Sequence, residues 1–367
     1  MITFAFSFAK LLYWNKIKIF HNKCLLGGRV LSSITIKDVA KYAGVSTATV
    51  SRVVNQNYYV SPEIEAKVNE AIKRLNYYPN SIARSLKNES TLTIGLLVSD
   101  ISNNYFTTIA KAIEDVVSKE NYNIIVCSTE NSKEKELTYI KLLMSKKIDG
   151  LIVNTTGKNN EFISNLSKTV PIVLINRRIE NSDFVGDFID TSNIEGVYDL
   201  TYHYISMGHR KIGIINGDLD LSTGWERFDG FKLAMSKVGI KVDDEYPFRY
   251  DGDFTVESGY QGAMTLLSMP EKPTAIVIMN NSMTTGALKY LRLKNLKVPE
   301  DVAIASYGAL DNMELMYVRP TISAFNEWVL GKRAGEFILQ RIKNEASSNR
   351  EAIYTPQLIT GDDLAKI

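Results

Sequence analysis

The stretch Thr35–Asn55 carries the residue types and spacing of a site that reads DNA. Thr47 and Ala48 begin the second of two short helical patterns, and Arg52 follows one turn later. The planar guanidinium of an arginine matches the two acceptors that guanine presents in the major groove. Small polar side chains and helix N-termini in the same stretch can bind phosphate oxygens. This pattern predicts recognition of double-stranded DNA.

Patterns typical of catalysis and metal binding are missing from the sequence. It contains no Gly-rich phosphate loop, no nucleophile elbow and no His-centred triad. The three histidines, His21, His203 and His209, lack metal-ligand spacing. Cys24 and Cys127 are too few for a disulfide framework or a thiolate site. No apolar run reaches about 18 residues, the length of a membrane span. From these absences together we predict no enzyme activity, metal, cofactor or membrane partner.

Charge is distributed unevenly along the 367 residues. The net charge is +2, but residues 1–33 carry five basic and no acidic residues, and residues 34–90 carry eight basic and five acidic ones. The remainder of the chain therefore has a net charge of −6. A basic N-terminal module before a large acidic body favours binding of a polyanion by the module.

Three helical patterns and a shorter fourth one can position the DNA-reading residues. The first two are joined by a turn at Gly44, which is the arrangement of a helix-turn-helix motif. Thr35, Ser46 and Ser61 are expected to cap the three helices. The segment Pro79–Leu86 predicts a fourth helix that is too short to be stable alone in water.

From Thr93 onward, short apolar runs alternate with helical patterns. The runs predict strands at Ile94–Val98, Ile124–Cys127, Leu151–Val153, Ile172–Ile175, Ile212–Ile215, Ala275–Met279 and Val302–Ala305. Helices are predicted at 104–119, 133–145, 194–207, 226–238, 256–268 and 282–293. Such alternation is typical of parallel sheets covered on both faces. We expect two doubly wound parallel sheets, with a ligand beyond the carboxyl ends of their strands.

The stretch 34–100 closely resembles the lactose/galactose repressor (LacI/GalR) family. The matching motifs are Asp38-Val-Ala, Ala43-Gly-Val-Ser46, Thr49-Val-Ser-Arg-Val-Val-Asn55, Leu75-Asn-Tyr-Tyr-Pro-Asn80, Ala83-Arg-Ser-Leu86 and Ile94-Gly-Leu. The similarity continues to about residue 342 through Met207-Gly-His-Arg, Gly213-Ile-Ile-Asn-Gly217, Asn281 to Leu288 and Val298-Pro-Glu-Asp301. The resemblance implies an all-α helix-turn-helix headpiece with a hinge helix, followed by a two-lobed α/β body like that of periplasmic sugar-binding proteins.

The expected domains follow from these patterns and from the resemblance. They are an N-terminal extension at 1–33, a headpiece at 34–78, a hinge helix and linker at 79–92, and a two-lobed body at 93–367. Lobe 1 is expected at 93–190 plus 321–342, and lobe 2 at 191–320. Because family headpieces begin close to the first methionine, we interpret residues 1–33 as a non-native or disordered extension, with translation starting near residue 31.

The resemblance also implies contacts with DNA. Thr47, Ala48 and Arg52 are expected at base edges, and Leu86 between two base pairs of the minor groove, where an apolar wedge kinks the duplex. Contacts with the phosphate backbone are expected from helix starts, small polar groups and cationic groups, namely Thr35, Lys37, Ser46, Asn55, Tyr59, Ser61 and Arg84. The implied assembly is a homodimer, or a tetramer, on a pseudo-palindromic operator.

A small effector is expected between the lobes. The positions that match family ligand contacts are Asn176, Arg177, Arg227, Phe254 and Asn280. The segment 100–106, with Asn104 and Phe106, follows the first strand and is expected to line the wall of the first lobe. Asn176 and Asn281 stand where sugar-binding members usually have aspartate, whose oxygens accept hydroxyl protons. A cleft that loses acids but keeps Arg177 and Arg227 favours a sugar acid or a sugar phosphate over a neutral sugar. Asp311 is expected to replace part of the lost acidity.

We therefore interpret the chain as a cytoplasmic transcription regulator that represses a carbohydrate-utilisation operon under control of the effector. The alternative is the solute-binding protein of a sugar transporter, which the two lobes alone would fit. The headpiece argues against this alternative, because a secreted binding protein has no use for a recognition helix. Whether the effector releases DNA or promotes its binding stays open at this point.

Overall fold

A computed structural model describes residues 34–55, 58–77, 90–180 and 183–361. The chain forms two compact units, Met1–Lys87 and Asn88–Ile367. The expected extension at 1–33 lies outside the described residues, as does the expected hinge helix Pro79–Leu86 with its site residues Arg84 and Leu86. Among the described helices, none has the length and apolar character needed to cross a membrane.

The headpiece packs three helices around one small apolar core. They are α1 (Ile36–Ala43), α2 (Thr47–Asn55) and α3 (Pro62–Leu75). Val39, Val50 and Val68, one from each helix, are 0% exposed and belong to the same core. Gly44 ends α1 in the left-handed conformation (φ 68°), and its N–H donates to the Ala40 carbonyl. The predicted helix-turn-helix is confirmed.

Two of the three predicted helix caps form hydrogen bonds. The Asp38 carboxylate accepts from the Thr35 backbone N–H (2.8 Å) and hydroxyl (2.7 Å) at the start of α1. The Ser46 hydroxyl accepts from the Thr49 N–H (3.1 Å) at the start of α2. The predicted side-chain cap at Ser61 is wrong, because Ser61 occupies the N-cap position of α3 without a capping bond. Proline and two acidic residues in the first turn favour this helix start instead.

The body contains two six-stranded sheets with helices between the strands. Its strands are β1 (Thr93–Val98), β2 (Asn123–Ser128), β3 (Gly150–Val153), β4 (Ile172–Ile175), β5 (Asp187–Thr191), β6 (Ile212–Asn216), β7 (Arg249–Asp251), β8 (Ala275–Ile278), β9 (Ala303–Tyr307), β10 (Thr321–Ala324), β11 (Glu351–Tyr354) and β12 (Gln357–Ile359). Its helices are α4 (Asn104–Val117), α5 (Lys133–Ser145), α6 (Asn160–Ser167), α7 (Asn193–Ser206), α8 (Ser222–Ser236), α9 (Val256–Leu267), α10 (Asn281–Leu293) and α11 (Glu327–Ile342).

Both sheets have the doubly wound topology that the alternation predicts. The first has the order β11-β5-β4-β3-β1-β2, and its pairs are parallel. The second has the order β12-β10-β9-β8-β6-β7, and of its described pairs only β12 with β10 is antiparallel. In β1, Ile94 and Leu96 belong to one core and Leu97 to the core on the opposite face, so the first sheet is covered on both sides.

The chain crosses from one sheet to the other three times, between β5 and α7, between β10 and α11, and between β11 and β12. The expectation that lobe 1 includes all of 321–342 is therefore wrong for its first part. Strand β10 pairs with β9, with Thr321 opposite Ala305, and so belongs to the second sheet. Helix α11 packs on α4, where a Cβ at Gly331 would lie 2.5 Å from the Ile109 carbonyl oxygen.

Five strands and two helices escaped prediction, namely β5, β7, β10, β11, β12, α6 and α11. Strand β5 carries Asp187 and Asp190, and β11 is an edge strand with alternating exposure. Neither therefore presents a continuous apolar run. Their positions depend on pairing with residues far away in the chain, which a local pattern does not reveal.

Asp187 is a fully buried carboxylate that joins three parts of the first lobe. From β5 it accepts hydrogen bonds from Arg341 of α11 (2.7 and 2.8 Å) and from Arg350 before β11 (2.6 Å). Burial by itself raises the pKa of Asp187, but the bonds from the Arg350 and Arg341 guanidiniums outweigh it and hold the pKa below its usual value.

We predict that Asp187→Asn lowers the free energy of unfolding of the full chain by about 3 kcal/mol at pH 7, because two guanidiniums lose their counter-charge. A lowered folded-state pKa stabilises the protein above the unfolded pKa of about 3.9 and loses this effect as pH falls through the folded value. Urea unfolding at pH 7 and pH 3 measures both effects. The exposed control Asp220→Asn should change stability by less than about 0.5 kcal/mol, and equal stability of Asp187→Asn and the parent chain at pH 7 would contradict the prediction.

Candidate DNA interface and effector site

Helix α2 of the headpiece turns one face to the core and the other to solvent. Val50 is fully buried, whereas Thr47, Ala48 and Arg52 are exposed. The Arg52 guanidinium carbon lies 5.7 Å from the centre of the exposed Tyr58 ring. The first turn of α2 carries no acidic residue that would repel a phosphate. The exposed face therefore has the residues and the charge that a major-groove contact needs.

The residues expected to contact phosphate differ in exposure and in whether their hydrogen-bond donors are free. Four of them are exposed side chains on the headpiece surface: Thr35, Lys37, Ser46 and Tyr59. Ser61 is half-buried. Asn55 is less suited to the role, since its Nδ2 donates to the Ser51 carbonyl (2.8 Å) and hydroxyl (3.1 Å). Phosphate oxygens accept hydrogen bonds, so Asn55 keeps no donor for them in this conformation.

A cavity of about 310 Å³ lies between the two sheets of the body. In the first lobe its walls include Asn154 after β3 and Asn176 after β4, and in the second lobe Asn280 after β8 and Tyr307 at the end of β9. The carboxyl ends of neighbouring parallel strands meet at one edge of a sheet, and ligands bind outside that edge. The cavity occupies this place in both sheets at once.

Six of the eight expected effector residues line the cavity: Phe106, Asn176, Arg177, Arg227, Phe254 and Asn280. The other two do not. Asn104 begins α4, and its side-chain oxygen accepts from the Thr107 hydroxyl of the same helix (3.1 Å). Asp311 is not among the residues that line the cavity, and lines an adjoining groove that shares Asn103 and Asn281 with it.

Arg177 is a buried cation without an ion pair in the described part of the chain. It is 5% exposed, and its Nη1 donates to the Asn131 side-chain oxygen (2.8 Å) and the Thr155 carbonyl (2.9 Å). Within the described residues, no carboxylate oxygen lies within 4.0 Å of its guanidinium nitrogens. Burial and the positive charge of Arg227 lower the pKa of Arg177 to about 10. The cation is therefore destabilised by its surroundings.

Arg227, on α8, is also buried and is held more tightly. Its Nε donates to the Asn193 side-chain oxygen (2.7 Å), and its Nη1 donates to the Met279 carbonyl (2.6 Å). The guanidinium carbon lies 4.1 Å from the centre of the Tyr307 ring, within cation–π range. Two bonds from different nitrogens and one ring fix the plane of this guanidinium.

Phe254 lies near both arginines. Each guanidinium carbon is 5.8 Å from the centre of its ring. The residue adopts a positive φ of 70°, and its carbonyl accepts from the Asn280 Nδ2 (3.0 Å). A Cβ on Gly217 would lie 2.0 Å from this ring, so the glycine leaves the space that the ring occupies. As expected, Phe254 and the arginines from both lobes share one cavity.

The expectation of a cavity with few carboxylates is wrong. Four acidic residues line it: Asp100, Glu130, Asp190 and Glu327. Glu130 is paired with Lys135 (2.6 Å). Burial raises the pKa of Asp190 to about 7 and also raises the pKa of Glu327, so both carboxyls are less acidic than in water. Asp190 escaped the sequence analysis because strand β5, which ends at the cavity, was not predicted.

Several other lining residues escaped prediction, namely Ser99, Asn131, Asn154, Thr191, Thr223, Tyr307 and Phe325. For Ser99 and Asn154 a signal was present, since each directly follows a predicted strand. For Phe325 there was none, because its cavity position depends on the crossing between β10 and α11.

Comparison with known proteins identifies both units. The profile described as periplasmic binding proteins and sugar-binding domain of the LacI family matches residues 91–360. The profile described as bacterial regulatory proteins, lacI family, matches residues 35–80. The chain belongs to the LacI family of bacterial regulatory proteins.

Individual relatives agree with this assignment. The HTH-type transcriptional repressor PurR of Aliivibrio salmonicida (strain LFI1238) is 36% identical over 338 residues, which cover 91% of this chain and 99% of the relative. The lac repressor dimer bound to operator and the anti-inducer ONPF is 26% identical, with a TM-score of 0.76 over 90% of this chain and 98% of that one. The CelR regulator in complex with cellobiose is 26% identical, with a TM-score of 0.66 over 89% and 98%.

These findings separate the alternatives that the sequence left open. The relatives are transcriptional repressors and align with nearly their whole length, headpiece included. The chain is therefore a DNA-binding transcriptional repressor with an effector-binding body, and not the solute-binding protein of a transporter. The interpretation of the chain as a regulator without enzyme activity agrees with this family.

Arg52 should contribute sequence preference to DNA binding. We predict that Arg52→Ala weakens binding to an operator selected from random duplexes by about 1–3 kcal/mol and abolishes the preference at one base pair in each half-site. Fluorescence anisotropy with the selected duplex and its single-base variants measures both effects. The exposed headpiece variant Arg74→Ala serves as a matched control. Equal weakening of specific and random duplexes by Arg52→Ala would refute the base contact.

Asp190 should make the stability of the ligand-free protein fall with rising pH. Its folded-state pKa of about 7 exceeds the unfolded value of about 3.9, so proton binding favours the folded state between these values. We predict that stability falls from pH 5 to pH 7 by at most about 1.4 kcal/mol per pH unit through this group. Asp190→Asn should remove that fall in urea unfolding series at pH 5, 6 and 7. An unchanged slope in the variant would show that another group titrates.

Proposed function

We propose that the chain represses a carbohydrate-utilisation operon in the cytoplasm, as a homodimer on a pseudo-palindromic operator. We further propose that a sugar acid or a sugar phosphate in the cavity controls its DNA binding. The related lac repressor structure is a dimer on its operator, and the related CelR regulator was solved with cellobiose. Each is 26% identical to this chain, which supports the dimer and the carbohydrate class.

The observation that carries the effector class is the unpaired Arg177. Its Nη1 is used by protein acceptors, while its Nε and Nη2 have no hydrogen bond within the described residues. An anionic oxygen pair can accept from two adjacent guanidinium donors, and such charge-assisted bonds are about twice as strong as neutral ones. A carboxylate or phosphate of the effector would supply the counter-charge that this buried cation lacks.

Asn154 supports a ligand that also carries hydroxyl groups. Its Nδ2 donates to the Ile175 carbonyl (3.1 Å), while its Oδ1 is buried without a partner among the described residues. An unsatisfied buried acceptor costs free energy, which a donor on a ligand can recover. Because Asn154 lines the cavity, a hydroxyl of the effector is a suitable donor. A sugar with one anionic group meets the needs of both Arg177 and Asn154.

A neutral monosaccharide is the second candidate, and the four carboxylate residues of the cavity favour it. Carboxylate oxygens accept hydroxyl protons, and Asp190 and Glu327 lie in the cavity wall. The two candidates differ in how they would interact with Arg177. A neutral sugar needs only a single donor from it, whereas an anion needs its charge.

Binding of acidic and neutral forms of the same sugar distinguishes the two candidates. We predict that the full chain binds D-galacturonate or D-galactose 6-phosphate at least about tenfold more tightly than D-galactose in titration calorimetry. Arg177→Gln should remove this preference, because it removes the charge. The exposed variant Lys168→Gln is the control for a general loss of positive charge. Tight binding of D-galactose with no binding of its acidic analogues would contradict the acidic effector and favour the neutral one.

The ligand that binds must also act on DNA. We expect the same compound to change the affinity of the full chain for the selected operator, in an anisotropy titration at saturating ligand. A ligand that binds the body and leaves operator affinity unchanged would refute its role as effector. The regulatory function would then stand on the headpiece alone.

A further inference from the structure

Asn193 occupies the first crossing between the two lobes. It begins α7 two residues after β5, where the chain leaves the first sheet for the second lobe. It is 2% exposed and is not among the residues that line the cavity. Its neighbours Asp190 and Arg227 do line the cavity.

The amide of Asn193 uses both of its ends. Its Oδ1 accepts from the Arg227 Nε (2.7 Å). Its Nδ2 donates to the Asp190 Oδ2 (2.8 Å) and to the Glu226 Oε2 (2.7 Å). Asp190 belongs to the first sheet, whereas Glu226 and Arg227 belong to α8 of the second lobe. One side chain therefore connects cavity-lining groups of both lobes.

The chemistry of this position is specific for a neutral amide. The side chain has to accept from a guanidinium and donate to two carboxyls at once, which asparagine can do. An aspartate would keep the acceptor but place a third carboxyl beside Asp190 and Glu226. An apolar residue would remove one hydrogen bond each from Arg227, Asp190 and Glu226.

We propose that Asn193 is a positioning residue of the effector site, which holds Arg227 and Asp190 in a fixed relation across the first crossing. Arg227 is held by Asn193, by the Met279 carbonyl and by the Tyr307 ring, so loss of the amide leaves its guanidinium one hydrogen bond and the ring contact, and its orientation is less constrained. Effector affinity then depends on a residue that does not contact the effector. This inference rests on the proposed function, because it takes the cavity as the effector site.

The test uses the full chain, three variants for comparison and a fourth for assignment of a resonance. Asn193→Leu removes the amide at similar volume, and Asn193→Asp keeps the acceptor for Arg227 but removes both donors. The control is Asn349→Leu, since Asn349 joins the Phe184 carbonyl and the Gly186 N–H by its amide within the first lobe, outside the cavity. Urea unfolding of each variant separates a loss of stability from a loss of position.

The first readout needs no ligand. In protein labelled with nitrogen-15 at arginine, the Arg227 Nε–H resonance is assigned by its absence in Arg227→Lys. We expect it to exchange slowly with water in the parent chain, in Asn193→Asp and in Asn349→Leu, and to shift and exchange rapidly in Asn193→Leu. An unchanged resonance in Asn193→Leu would overturn the proposal. If that variant does not fold, loss of the resonance in Asn193→Asp, which retains the acceptor, would overturn it.

The second readout is calorimetric binding of D-galacturonate, D-galactose 6-phosphate and D-galactose. We expect at least about tenfold weaker binding, by both Asn193 variants, of whichever sugar the parent chain binds, and unchanged binding by Asn349→Leu. Unchanged affinity in a folded Asn193 variant would overturn the proposal. If the parent chain binds none of the three sugars, the proposed effector class fails, and the Nε–H resonance still decides whether Asn193 positions Arg227.

Discussion

Burial of two arginines in one cavity is the constraint on which the effector site depends. Burial and the positive charge of Arg227 disfavour the charge of Arg177, and its pKa is lowered accordingly. The protein holds both with neutral acceptors, which include the Thr155 and Met279 carbonyls. Neutral acceptors satisfy the donors without cancelling the charge. The cavity therefore keeps positive charge for a ligand to meet, although acidic side chains also line it.

The sheets supply these acceptors because of their topology. Thr155 follows β3 and Met279 follows β8, so each carbonyl comes from the carboxyl end of a parallel strand. Strand ends in parallel sheets leave carbonyl groups without ladder partners, and a buried guanidinium can satisfy them. Gly217, which follows β6, contributes in another way, because the missing Cβ leaves room for the Phe254 ring near both arginines. The fold and the binding chemistry are thus linked at the same edge of each sheet.

The chain crosses between the lobes at three places, and residues at two of these crossings line the cavity. Asp190 lies at the end of β5 and Phe325 lies between β10 and α11, and both line the cavity. A change in the angle between the lobes alters the geometry at such crossings, so the ligand contacts there respond to it. The Asn193 amide also links the two lobes directly, since it contacts Asp190 of the first lobe and Arg227 of the second. Residues at the crossings between the lobes therefore also line the cavity.

Local patterns in the sequence determined the headpiece helices, seven of the twelve strands and six of the eight expected effector residues at the cavity. These features depend on neighbours within a few turns, such as the cap at Ser46, or on a family motif, such as Arg227. Tertiary structure alone decided the rest. The sheet membership of β10, the approach of Asp190 to Arg227 and the position of Asp311 in the adjoining groove depend on pairings between residues far apart in the chain. Burial then set the charge balance, because the pKa of Asp190 reflects an environment that no stretch of sequence contains.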